Sequence, residues 1–105
     1  MKKVYLIYST FSNKEKALEV GRTLVNEKLA ACINVIPKIN SVYRWKGKVE
    51  EAEEALMLAK TTEEKVREVI ERIKELHEYE LPAIVAIEIK EGLREFVSYV
   101  NESCT

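Results

Sequence analysis

The stretch Ser41-Val42-Tyr43-Arg44-Trp45-Lys46-Gly47-Lys48-Val49-Glu50-Glu51 decides how this chain folds. Ile39, Ser41, Tyr43 and Trp45 fall on one side of an extended strand, and Val42, Arg44 and Lys46 on the other. Lys46-Gly47-Lys48 interrupts the alternation with a residue that accepts positive φ, so it reads as a hairpin turn. Outward from the turn, one arm reaches back to about Ala31 and the other forward to about Lys60. Pro37 has no N–H to donate and marks an edge, bend or bulge in the first arm. The second arm is acidic from Glu50 to Glu54. It then becomes Ala55-Leu56-Met57-Leu58-Ala59, the unbroken apolar run of a buried strand.

Each arm is about fourteen residues, or about 45 Å at strand rise. The helix expected before it, Ser12 to about Lys28, covers only about 25 Å. Asn40 to Glu54 must therefore project beyond the helical layer. A lone two-stranded ribbon is marginal in water, and Tyr43 and Trp45 on a single side are costly to leave wet. Burial against another copy resolves this, and a dimer or a ring of three would both serve.

The flanking segments supply the rest of the fold. Val4 to Tyr8 is a short apolar, β-branched run that reads as a buried central strand. Ser12 with Glu15 three residues on has the spacing of a capping box. Ala17, Leu18, Leu24, Val25 and Leu29 then line one helical face, while Gly21 is either a point of close approach to the sheet or a weak spot. Thr61 with Glu64 repeats the capping spacing before a second helix, whose stripe is Val66, Val69, Ile70, Ile73 and Leu76. Ala83 to Ile89 is a fourth strand, and a last helix after Gly92 carries Leu93, Phe96, Val97 and Val100 on one face. The order βαββαβ plus a tail helix predicts one domain spanning residues 1–105, a ferredoxin-like α/β (α+β) sandwich with an extended central hairpin.

Composition narrows the function. Lys and Arg number 17 against 18 acids, a net charge of −1, which argues against a nucleic-acid binder. With 47% hydrophobic residues the chain is not of the disordered class. All the acids are Glu, so any carboxylate chemistry belongs to Glu. Abundant Glu and Lys fit both a heat-stable surface rich in ion pairs and a simple codon bias. The N-terminal apolar run is too short to span a membrane and lacks a cleavage site, which predicts a soluble cytoplasmic protein.

Chemistry-bearing residues are few. His77, the only histidine, ends the second helix, where a cation complements the helix dipole. It precedes Glu78-Tyr79-Glu80, and an imidazole beside carboxylates offers N and O ligands for Cu(II), Zn(II) or Ni(II). One histidine cannot build a closed structural zinc site. Cys32, at a strand start among small residues, reads as a core residue or a soft ligand facing a cleft, and Cys104 as exposed and incidental. No serine lies in a nucleophile-elbow context and no phosphate-loop glycine motif occurs. The acidic run at Glu50–Glu54 reads as a solvated surface.

Together these segments resemble one family. Leu29-Ala30-Ala31-Cys32-Ile33-Asn34 resembles the A-A-C-x-N segment of the CutA family of divalent-cation-tolerance proteins. Ser41 to Glu51 is similar to its S-x-Y-x-W-x-G-x-(I/V)-x-E hairpin, Lys60-Thr61 to its K-T, and Leu76 to Ile84 to its L-H-P-Y-E-x-P-x-I segment. The blocks follow in the family order over nearly the whole chain. Two departures stand out: Glu78 replaces the usual Pro after the histidine, and Ala52 replaces an acidic residue in the hairpin.

The resemblance implies a homotrimer similar in architecture to PII signalling proteins, with hairpins embracing neighbouring subunits. It implies a non-enzymatic role in the response to divalent metal ions, with Cu(II) or another divalent cation bound and no organic cofactor, nucleic acid or membrane partner. The candidate metal ligands are then His77, Glu80 and Cys32, which match the family motifs, with Glu78, which this sequence adds beside the histidine, and the implied inter-subunit cleft residues are Tyr43, Trp45, Lys60 and Tyr79. A second reading is a PII-like signalling module that binds a small anion or metabolite through Lys60 and backbone amides. An acylphosphatase-type enzyme on the same fold would need an Arg that Ser9–Asn13 lacks.

Overall fold

A computed structural model describes residues 1–105. The chain runs β1 (Val4–Phe11), α1 (Lys14–Asn26), β2 (Cys32–Trp45), β3 (Lys48–Thr62), α2 (Val66–Leu76), β4 (Ile84–Ile89) and α3 (Arg94–Ser103). One antiparallel sheet has the order β2-β3-β1-β4. This is the ferredoxin-like arrangement that the order of apolar runs predicts.

Strand alternation sorts the side chains onto two faces. Ile7 lies opposite Ala59 and Ala86, and Phe11 opposite Ala55. These residues meet Leu24 of α1 and Val69 and Ile73 of α2 in the main core. Gly21 resolves as close approach: a Cβ there would stand 2.7 Å and 2.8 Å from the Ile33 side chain. Across the layer, Arg72 of α2 donates two hydrogen bonds, at 2.9 Å and 2.7 Å, to the Glu27 carboxylate just beyond α1. Those bonds hold the Glu27 carboxyl below its ordinary range.

The opposite face carries Leu6, Tyr8, Leu58, Val85 and Ile87, and α1 and α2 do not reach it. At one end of the sheet α3 packs Val100 against Val4 and Ala31. Cys104 is buried in the same cluster, contrary to the exposed terminus expected from its position, because α3 folds its last turn onto the sheet.

The hairpin follows its sequence closely. Lys46 and Gly47 both have positive φ, 49° and 81°, and Trp45 faces Lys48, so the turn is the two-residue type that matches strand twist. Pairing is Ile36 with Leu56 and then Ile39 with Glu54, which leaves Pro37 and Lys38 in a bulge.

Both expected helix starts shift. Asn13, not Ser12, caps α1, accepting from the Lys16 amide at 2.9 Å. Thr61 does not open α2. It stays in β3 opposite Tyr5 and donates its hydroxyl to the Leu29 carbonyl at 2.6 Å, and α2 begins at Val66 without a side-chain cap. Strand pairing in the sheet outweighs the local capping signal there.

Ser9 is fully buried and its hydroxyl has no partner, between Met57 and Ile84 on neighbouring strands. An unpaired buried hydroxyl is a net cost. Ser9→Ala is therefore expected to raise the unfolding free energy by about 1 kcal/mol. Denaturant titration checks this as an upward shift in midpoint, and a downward shift would mean the hydroxyl is satisfied.

Candidate functional site

The loop between α2 and β4 folds back under the hairpin, and its first residue fixes it there. His77 leaves α2 in an extended conformation. Its ring stacks on Phe11, with centroids 4.4 Å apart and planes 14° from parallel. One ring nitrogen, Nε2, lies 2.8 Å from the Thr10 carbonyl oxygen, and the other, Nδ1, accepts from the Tyr79 amide at 3.2 Å. Tyr79 then reaches the root of the projecting hairpin, where its hydroxyl donates to Glu54 at 2.7 Å. Burial, and then the bond to Glu54, push the Tyr79 phenol upward, so it stays a proton donor.

Between this loop and the hairpin lies a cavity of about 830 Å³. Tyr43 and Trp45 line it from the hairpin, and Glu78, Tyr79 and Glu80 from the loop. Glu78 accepts a hydrogen bond from Ser12, which lies just before α1. Glu54 also lines the cavity, and the reading of its acidic run as solvated surface missed it. The signal was available in the register: Glu54 pairs with Ile39, on the side of the ribbon that also carries Tyr43.

The other expected site residues stand elsewhere. Cys32 is half-buried and pairs directly with Lys60, whose ammonium donates to Asn34. Lys60 lies opposite Leu6, whereas His77 sits on Thr10. Four residues along β1 amount to about 13 Å. The chain thus gathers Tyr43, Trp45, Glu78, Tyr79 and Glu80 around one cavity, backs it with His77, and leaves Cys32 and Lys60 at the far end of the sheet.

As a metal site the donor set is incomplete. No three His, Cys or Glu side chains converge in a way that could hold an ion. What one chain offers at the cavity is carboxylate oxygens, which suit a cation that keeps part of its water shell or takes ligands from a second chain.

Sheet order, helical layer and long hairpin define a ferredoxin-like α+β protein. The model of the family described as CutA1 divalent ion tolerance protein matches residues 5–103, and the chain belongs to that family. The divalent-cation tolerance protein CutA of Thermotoga maritima is 45% identical over 98 residues, covering 93% of this chain and 96% of its own. That of Thermus thermophilus is 44% identical over 103 residues, with 98% of each chain covered. Among solved structures, CutA1 from Oryza sativa superposes with a TM-score of 0.95 at 36% identity, covering 99% of this chain and 95% of that one. The Archaeoglobus fulgidus protein, described as a periplasmic divalent cation tolerance protein, gives 0.93 at 39% identity, covering 97% and 99%. The family's role is divalent-cation tolerance, and no helix here is long and apolar enough to cross a membrane.

Proposed function

We propose that the chain acts as a non-enzymatic, cytoplasmic homotrimer that binds Cu(II) or a similar divalent cation at the hairpin cavity. The observation that supports the binding site is that Glu54, Glu78 and Glu80 all line that cavity; because no three of one chain's ligands converge, a neighbouring copy completes the coordination. Trimer formation is supported by the apolar side chains that the fold leaves wet. Val85 and Ile87 are about half exposed on the sheet face that α1 and α2 do not cover. Two free cysteines suit a reducing compartment. An anion site on Lys60 has less support, because its ammonium is already bonded to Asn34 outside the cavity.

Calorimetric titration of the apo-protein with Cu(II) and Zn(II) tests the site. Removing both loop carboxylates, Glu78→Gln with Glu80→Gln, is expected to weaken binding by about tenfold or more, the loss of charge-assisted contacts. Equal affinity in wild type and double variant, or no binding in either, would sink the assignment.

A further inference from the structure

We infer that His77 is a positioning residue and not a metal ligand: it clamps the loop Glu78–Ala83 to the end of β1 and so sets Tyr79 against Glu54. A backbone N–H can only donate, so the Tyr79 amide makes Nδ1 an acceptor. The single ring proton is then on Nε2 and is donated to the Thr10 carbonyl at 2.8 Å. The protein's own backbone thereby uses both in-plane positions at which a metal would bind. The Phe11 stack fixes the ring plane from below, and Tyr79 closes on it at 4.8 Å, tilted by 46°. A run of contacts leads from the core residue Phe11 through His77 and Tyr79 to Glu54 at the root of the hairpin. The imidazole thus anchors the loop that carries Glu78, Tyr79 and Glu80 along one side of the cavity. The clamp stands on this geometry alone and is tested first without metal, so its failure is separable from a failure of cation binding.

Because His77 is the only histidine, histidine-selective isotope labelling with long-range proton–nitrogen correlation reports a single ring. The expected spectrum of the wild-type protein is that of the Nε2–H tautomer, with both nitrogen shifts unmoved when Zn(II) is added in excess. An Nδ1–H tautomer, or either nitrogen moving to a metal-bound position, would overturn the inference. Two variants separate the bonds. His77→Asn places an amide oxygen near the Nδ1 position, and His77→Gln places an amide nitrogen near the Nε2 position. Hydrogen exchange of the Tyr79 amide is expected to quicken about fivefold in His77→Gln, the loss of one net hydrogen bond, and to stay within about twofold of wild type in His77→Asn. Equal exchange in all three proteins would show that the ring does not position the loop.

Discussion

Replacing Phe11 with alanine is expected to cost about 3–5 kcal/mol of unfolding free energy. The ring is 1% exposed at the end of β1, within the core that joins the sheet to α1 and α2. It is also the seat of the His77 imidazole. Truncation would open a cavity in a region bounded by strands and helices that cannot collapse freely, and would unseat the loop that lines the proposed binding cavity. Against a typical stability of about 5–15 kcal/mol for a native protein, that is a large fraction. Guanidinium unfolding at fixed protomer concentration measures it as a fall in midpoint with little change in slope. Phe11→Leu keeps most of the volume and is expected to lose less than half as much. A Phe11→Ala midpoint equal to wild type would remove the ring from the centre of the packing.

Much of this architecture is legible in the sequence because its periodicities are clean. The continuous run Val4–Tyr8, the alternation through Tyr43 and Trp45 and the stripe Val69–Ile73 each admit one kind of element. Helix starts are less legible where neighbouring residues carry the same signal. Ser12 and Asn13 are both good caps, but it is the Asn13 side chain that accepts from the Lys16 amide, while the Ser12 hydroxyl goes to Glu78. Thr61 reads locally as a cap, but its partner Tyr5 is 56 positions away and holds it in the sheet. Burial of Cys104 depends equally on Val4 at the other end of the chain. The site divides in the same way. Glu78, Tyr79 and Glu80 follow from adjacency, and Tyr43 and Trp45 from alternation. Spacing cannot show that both ring nitrogens of His77 meet backbone groups, because Thr10 and Phe11 lie some 66 residues upstream. Register alone separates Cys32 from the cavity, since its place opposite Lys60 fixes which end of the sheet it occupies.

Ile87→Glu is expected to turn the proposed trimer into a monomer. Ile87 is 51% exposed and lies opposite Leu6, on the face that also carries Tyr8, Leu58 and Val85. α3 covers only the end of that face, at Val4 and Ile89. A contiguous apolar patch of this kind marks an interaction surface. Packed against neighbouring subunits, an unpaired carboxylate at this position would have to be desolvated in all three copies, at a cost of several kcal/mol for each ion. In the separated chain the same side chain faces water, so the fold itself is not penalised and the far-ultraviolet circular dichroism is expected to match wild type. Light scattering coupled to size exclusion reads the outcome directly. Wild type is expected at three times the 12.1 kDa chain mass and Ile87→Glu at one. Ile87→Val keeps the apolar contact and is expected to remain at three. A wild-type mass of one chain would refute the trimer, and an Ile87→Glu mass still at three would place the subunit contact on another surface. If the trimer does dissociate, repeating the Cu(II) titration on the monomer asks whether the hairpin cavity needs its neighbours. One chain brings no three ligands together, so binding is expected to weaken with the loss of assembly.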